Sequence, residues 1–302
     1  MILLVGYGYW GKNLARNFSD KLTAICDSNP DSLKEAKNKY PNVDMYHDLD
    51  SALKDTRIAA VIIATKANTH FEVAVKCLEE KKHIWIEKPV CEKLNEIDRL
   101  IDLSENVNRI IFVDHTFCYN PAIMYLKNSK VVEFPLYYNS NRMSHGQFQN
   151  DVDVVLDLAI HDLSIINFLY PNLKLDKREI IKNYHVNNIA NQASINLKFN
   201  NGFNALINCN WVSPIKIREV IIVGKNKSIV YDDMSSDKIR EYSHKDVDSN
   251  FSPAHMKDIY IPRIPNDESL YNARKHFLKC IKENLKPKTN IYESKKIMSW
   301  IL

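Results

Sequence analysis

Three of the chain's six glycines fall within six residues, in Gly6-Tyr7-Gly8-Tyr9-Trp10-Gly11. The run follows Ile2-Leu3-Leu4-Val5, a short apolar strand pattern, and leads into Trp10 to Phe18, which has helical periodicity. Strand, G-x-G-x-x-G and helix in immediate succession restrict the fold, because each glycine has its own physical task. Gly6 permits the tight turn, Gly8 lets main chain approach a pyrophosphate, and Gly11 lets helix and strand pack closely. A pyrophosphate placed there meets the N–H groups at a helix N-terminus. The motif nominates Gly6, Gly8, Tyr9, Trp10 and Gly11 for cofactor binding. Asp27 follows the second apolar strand, Leu22 to Cys26, where a carboxylate accepts hydrogen bonds from ribose hydroxyls. It would also repel a 2′-phosphate, which favours NAD over NADP.

The alternation of strands and helices continues to about residue 116. Residues 30–40, 48–54, 70–80 and 95–105 read as helices, and residues 59–64, 83–86 and 110–113 as apolar strands. Short apolar runs between helical periods imply a doubly wound parallel sheet covered on both faces. After Phe117 the pattern changes. Residues 131–142 look extended, Val152 to Leu169 is a very apolar helix candidate, and residues 178–232 alternate in strand fashion, with Asn200-Asn201-Gly202 as a hairpin turn. Residues 234–266 are polar and contain proline, and read as a long loop; Ser269 to Glu283 reads as a helix. The expectation is an α/β Rossmann domain over 1–116. An α+β domain over 117–302 follows, with a largely antiparallel, open-faced sheet.

A chain of 302 residues, 45% hydrophobic, can build two cores. A net charge of +4 is too weak to suggest nucleic acid. The six cysteines form no C-x-x-C pair, so reduced core thiols are expected and no metal site. No apolar run approaches the roughly 18 residues that span a bilayer. The amino terminus enters a strand without a signal-peptide pattern. A cytoplasmic protein without a membrane partner is expected.

Two further segments can carry chemistry. Glu87-Lys88-Pro89 follows the strand at 83–86, at the carboxyl end where open α/β sheets bind ligands. Lys88 there either meets the reacting part of a substrate or is a surface lysine at a strand end. Asp157 and His161 lie four apart on the apolar helix and so share a face. Two ionisable groups buried together are costly without partners or purpose. Histidine suits the removal of a hydroxyl proton near neutral pH, with Asp157 orienting the ring and the Lys88 cation favouring a developing alkoxide. The alternative is a core histidine satisfied by its helix neighbour. Asp162 points elsewhere and reads as structural. Asn141-Arg142, and Trp211 with Lys216 and Arg218, offer cations and a ring face to a phosphate, a carboxylate or a sugar ring, or form a solvated cationic face.

In this order, the glycine motif, Glu87-Lys88-Pro89 and the Asp157-x-x-x-His161 pair make the chain resemble the glucose–fructose oxidoreductase / inositol dehydrogenase / rhizopine catabolism (Gfo/Idh/MocA) family over essentially its whole length. Ala64-Thr65 followed by His70 resembles that family's fourth-strand loop. The resemblance implies an NAD-dependent oxidoreductase acting on CH–OH groups. By it, Ala64, Thr65, His70 and Glu87 lie near the cofactor, Lys88 touches the reacting hydroxyl, and the Lys88–Pro89 bond can be cis. It also implies a homodimer or homotetramer formed through the open sheet face. Asn150 to Ile165 and His115 to Pro121 resemble a branch acting on nucleotide sugars, including UDP-sugar 3-dehydrogenases of surface-polysaccharide pathways. Two other readings stand beside this one: a dehydrogenase of a free polyol or inositol, and a non-catalytic NAD-sensing regulator, which would not need Lys88, Asp157 and His161.

Overall fold

Short, largely apolar runs form most strands of the first sheet, and alternating ones form most strands of the second. The structure is a computed structural model and describes residues 1–129, 132–133, 135–146, 148–186, 188–244 and 256–302. The chain opens with β1 (Ile2–Val5), α1 (Tyr9–Asn17), β2 (Leu22–Cys26), α2 (Pro30–Lys39), β3 (Asp44–Tyr46), α3 (Leu49–Leu53) and β4 (Ala60–Ile63). It continues with α4 (His70–Glu79), β5 (His83–Ile86), α5 (Leu94–Asn106) and β6 (Ile111–Val113). These strands make one parallel sheet in the order β3-β2-β1-β4-β5-β6. The order changes direction between β1 and β4, so the binding crevice of such a sheet lies beyond the carboxyl ends of these strands. Local chemistry starts the helices: Asn29 accepts from the Asp31 N–H with Pro30 in the first turn, and Asp48 accepts from the Ser51 N–H.

The second sheet follows. Its elements are α6 (Pro121–Ser129), β7 (Pro135–His145), a π-helical turn (Val155–Ala159), α7 (Ile160–Leu169), β8 (Leu175–Asn183), β9 (Gln192–Phe199) and β10 (Asn204–Asn210). β11 (Val212–Gly224), β12 (Lys227–Asp232), β13 (Ile239–His244) and β14 (Met256–Tyr260) complete it. The eight strands run in the order β14-β13-β12-β11-β7-β10-β9-β8. All neighbouring pairs are antiparallel except β10 with β7. One face is buried by alternate residues such as Ala193, Ile195, Leu197 and Phe199, and Ala205, Ile207 and Cys209. The hairpin between β9 and β10 turns at Gly202, whose φ is +85°.

Two expectations are corrected. Residues 234–266 do not form one long loop, since β13 and β14 extend the second sheet; residues 245–255 lie outside the described residues. The strand pattern is hidden because inward positions of β13 are polar. Glu241 accepts from Tyr125 Oη at 2.7 Å and Lys227 Nζ at 3.1 Å, and His244 Nε2 lies 3.0 Å from Ser228 Oγ. The second correction concerns the carboxyl-terminal helices α8 (Ser269–Glu283) and α9 (Ile291–Ser299). The chain divides into a unit of 1–116 with 268–300 and Leu302, and a unit of 117–267 with Ile301. These helices therefore belong with the first sheet. Aromatic packing is the reason: Trp85 stacks on Phe112 at 4.3 Å, and Phe277 of α8 meets both rings edge-on at 5.5 Å. All six cysteines are buried thiols. Among the described residues, no helix is long and apolar enough to cross a membrane.

Candidate active site

In the first unit, the glycine turn is shaped by two close approaches. Gly6 has φ +93°, and a Cβ on it would lie 2.6 Å from the Ala64 carbonyl oxygen. A Cβ on Gly11 would lie 2.0 Å from the Gly6 carbonyl oxygen. A Cβ on Gly8 would meet nothing within 4 Å. The fold therefore demands glycine at positions 6 and 11, and Gly8 keeps clear the space before α1. That helix has no side-chain cap and no acidic residue in its first turn. Its N–H groups and positive dipole end fit a diphosphate. Tyr9 at its start is 84% exposed.

Asp27 leaves the end of β2 half-buried. Its Oδ2 accepts from the Tyr7 N–H at 2.6 Å and its Oδ1 from the Asn29 N–H at 2.8 Å. The carboxylate thus braces the glycine turn and stands beside it. Ala64 follows β4 and lies against Gly6. Thr65 Oγ1 accepts from Thr69 Oγ1 at 2.8 Å. His70 does not present its ring to a cofactor: it is buried, with its ring nitrogens 2.8 Å from the Pro89 carbonyl and 3.2 Å from that of Thr65. It ties the loop after β4 to the loop after β5.

Lys88 is half-buried beyond β5, and its bond to Pro89 is cis. Glu87 beside it is buried, and its Oε1 accepts from Trp10 Nε1 at 2.5 Å. Trp10 is thereby held by the loop after β5. Glu87 faces Asp114, the residue after β6, which sequence reasoning missed. Burial, with the nearby Asp114 charge, holds the Glu87 carboxyl well above the usual carboxylate range. Burial pushes Asp114 up to about 6. Burial and then the Lys88 charge push the neighbouring His115 down to about 3. An acidic residue directly after an apolar strand, at the same level as Glu87, was the available signal.

In the second unit, Asp153 begins the helical stretch. Its Oδ1 accepts from the Val155 and Leu156 N–H groups at 3.0 and 3.1 Å. Asp157 lies in the π turn and His161 in the first turn of α7, both half-buried. The expected uniform helix is thus wound more widely around Asp157; such turns recur at functional sites. Trp211 is not offered to a substrate as a ring face. It is buried, and its Nε1 donates to Asp157 Oδ2 at 3.0 Å. The His161 ring meets the Phe117 ring edge-on at 5.0 Å.

Arg142 is likewise not open to a substrate. It is 4% exposed, and its Nε donates to Asp162 Oδ2 at 2.7 Å, with Tyr138 Oη donating to Asp162 Oδ1 at 3.2 Å. Its guanidinium lies 4.3 Å over Phe117. Such a buried charge needs its partner, which is the structural reason for Asp162. Asn141 accepts from Asn208 Nδ2 at 3.3 Å. Lys216 is exposed in the irregular stretch of β11. Arg218, opposite Arg142 in register, lies 5.8 Å over the Phe117 ring and pairs with Asp233 at 3.3 Å.

Residues 1–115 match the family described as "Oxidoreductase family, NAD-binding Rossmann fold", Gfo/Idh/MocA. The chain is 27% identical over 180 residues to UDP-N-acetylglucosamine 3-dehydrogenase of Acidithiobacillus ferrooxidans, covering 59% of this chain and 56% of that protein. It is 27% identical over 165 residues to myo-inositol 2-dehydrogenase of Thermotoga maritima, covering 49% and 47%. The chain thus spans about half the length of these curated relatives. The solved structure of the Acidithiobacillus ferrooxidans enzyme superposes with a TM-score of 0.89 at 21% identity, over 99% of this chain and 94% of that one. An oxidoreductase from Agrobacterium radiobacter, solved with NAD+, L-tartaric acid and magnesium, gives 0.82 at 18% identity, over 99% and 93%. These structural likenesses extend the shared fold to the second sheet. Residues 1–115 thus carry the NAD-binding Rossmann fold of the Gfo/Idh/MocA oxidoreductase family.

Proposed function

We propose that the protein is an NAD-dependent dehydrogenase or reductase that moves a hydride between the cofactor and a CH–OH carbon of a sugar. The observation that carries this reading is the row of groups beyond the ends of β2, β1, β4 and β5: Asp27, the glycine turn, Ala64-Thr65 and Lys88. Bound NAD supplies the hydride acceptor, and its reduced form the donor. The first turn of α1 holds the diphosphate through its N–H groups. Asp27 accepts from ribose hydroxyls and sets a negative charge against a 2′-phosphate, which favours NAD over NADP.

Lys88 stabilises negative charge on the substrate oxygen as its proton leaves. A ring nitrogen of His161 takes that proton. Asp157, held by Trp211 Nε1, orients the imidazole and favours its protonated form. Reduction uses the same groups in reverse. Asn141 and Lys216 remain candidates for contacts with more distant parts of the substrate, with Arg218 added to them.

The substrate in this reading is a nucleotide-linked sugar oxidised at C3, a choice supported by similarity to the UDP-N-acetylglucosamine 3-dehydrogenase. Equal identity to a myo-inositol 2-dehydrogenase supports a free polyol as the second choice. The protein works in the cytoplasm as a homodimer or homotetramer, and the exposed Ile181, Tyr184 and Val186 in and after β8 support an assembly on the second sheet.

NADH absorbance with UDP-N-acetylglucosamine, its uronate, free N-acetylglucosamine and myo-inositol tests the substrate. Turnover of the UDP-sugars alone is expected, falling about 10²- to 10⁴-fold in His161→Ala. Turnover of inositol alone transfers the assignment to polyols. Failure of folded protein to take up NADH in calorimetry overturns the reading. A light-scattering mass of one chain removes the assembly.

A further inference from the structure

We propose that Glu87 and Asp114 share one proton and present a single negative charge to Lys88, which makes Asp114 a positioning residue for the reaction. The role of Lys88 here rests on the dehydrogenase reading, whereas the shared proton stands on the geometry of the first unit alone.

The strands put the two acids together. Ile86 and Val113 are register partners on β5 and β6, and the Asp114 N–H donates to the Ile86 carbonyl at 2.8 Å. Glu87 and Asp114 are therefore the next residues on adjacent parallel strands and leave the sheet at one level. Both are buried, at 9% and 0% exposure. Two of their four carboxyl oxygens each accept from a named side chain. Trp10 Nε1 donates to Glu87 Oε1, and Thr116 Oγ1 donates to Asp114 Oδ1 at 2.8 Å. Glu87 Oε2 is the oxygen to which the proton is assigned.

Asp114 Oδ2 is the exception, since it is buried and meets no donor. Two ionised carboxylates in contact, one with an oxygen lacking a donor, would be strongly unfavourable. One proton on Glu87, directed at Asp114 Oδ2, removes both problems: it halves the charge and supplies the missing donor. The titration directions agree with the assignment. Burial and Asp114 hold Glu87 well above the usual carboxylate range, burial raises Asp114 to about 6, and Lys88 pulls both down.

The titratable groups facing the pair are Lys88 in the loop after β5 and His115 after β6. His115 stays neutral, held down to about 3 by burial and by Lys88 itself. Near pH 7 the cluster then consists of neutral Glu87, ionised Asp114, neutral His115 and the Lys88 ammonium. The single carboxylate charge anchors that ammonium. As pH falls through about 6, Asp114 takes up a proton and Lys88 loses its counter-charge.

Infrared difference spectra test the proton directly. At pH 7 the wild type should show the carbonyl stretch of a neutral carboxylic acid. That band should be absent in Glu87→Gln. It should also be absent in Asp114→Asn, where the carboxamide donates to Glu87 and lets it ionise beside Lys88. A wild type without the band, or a band that persists in Asp114→Asn, overturns the shared proton. Kinetics test the positioning. The kcat of the wild type should fall below about pH 6, and that limb should move to lower pH in Asp114→Asn and be retained in Asp114→Glu. Superimposable kcat profiles for all three overturn the positioning role. Asp114→Asn should melt close to wild type at pH 7, because the single buried carboxylate charge passes from Asp114 to Glu87. If no alcohol is turned over, the infrared bands still decide the shared proton, and the dehydrogenase reading fails separately through absent NADH uptake.

Discussion

The two sheets treat polar groups in opposite ways. In the first, β1 and β4 are buried along their whole length by apolar side chains. The groups with chemistry stand beyond the strand ends, on turns held by main chain. In the second, strands alternate and carry polar side chains inward, with Arg142 joined to Asp162 and Glu241 to Tyr125 and Lys227. Trp211 is at once a core side chain and the donor that holds Asp157. The first arrangement separates the packing from the site, whereas the second joins them. It follows that the candidate groups of the first unit are vulnerable to small main-chain displacements and those of the second to the loss of single side-chain partners.

The largest effect should come from Gly11→Ala, which sets a Cβ 2.0 Å from a main-chain oxygen. A cost above about 4 kcal/mol and loss of NADH uptake are expected. Gly8→Ala meets open space and should melt like the wild type while binding NADH roughly tenfold more weakly, about 1.4 kcal/mol. Equal responses of the two variants in thermal melts would erase the distinction between fold glycine and ligand glycine.

Next in size is Asp162→Ala, which leaves the Arg142 charge buried without its partner. Denaturant titration should record a loss of about 3–5 kcal/mol. The double variant Asp162→Ala/Arg142→Met should recover most of it. A single variant as stable as wild type would show that the second sheet does not depend on its internal ion pair.

Acid should act on the first unit through His115, whose pKa in the folded chain is depressed to about 3 by burial. The unfolded chain takes up this proton first. The stability of the neutral ring is complete above about pH 6.5 and declines by about 1.4 kcal/mol per pH unit below it. Asp114, raised to about 6, acts in the opposite sense between its ordinary value and 6, because there the folded state holds the extra proton. The histidine slope should therefore be seen most clearly in an Asp114→Asn background and flatten when His115→Asn is added.

Smaller still is Trp211→Phe, which removes the N–H donated to Asp157. About 1 kcal/mol of stability should be lost, and kcat should fall more than the stability change alone explains. At the bottom stands Asp50→Ala, which breaks the exposed Lys76–Asp50 pair at 2.7 Å. It should change stability by less than about 0.5 kcal/mol. If Trp211→Phe behaves like Asp50→Ala in both measurements, the second sheet does not join packing to chemistry.

Much of this was legible in the sequence because it is written locally. The glycine turn, Asp27 and Glu87-Lys88 each stand directly after an apolar run, and a strand end is where a parallel sheet presents its chemistry. Asp157 and His161 were detectable as ionisable groups in an apolar helix. Periodicity and turn residues likewise located the β9–β10 hairpin and the helix Ser269–Glu283, because dihedral preference and alternation act over a few neighbours. Tertiary structure decided which partner each group meets. The apolar face of Ser269–Glu283 states that the helix is covered, but only the Trp85–Phe112 surface, far back in the chain, assigns Phe277 to the first unit. Arg142 reads as an available cation until Asp162 closes on it, and Trp211 as an available ring until its N–H reaches Asp157. Asp114 acquires its meaning from Glu87, on the neighbouring strand. β13 escaped detection because Glu241 and His244 are inward residues whose partners lie on other elements. A side chain's backbone preference is set by its neighbours in sequence, whereas its charge, its hydrogen bonds and its exposure are set by whatever packing brings against it.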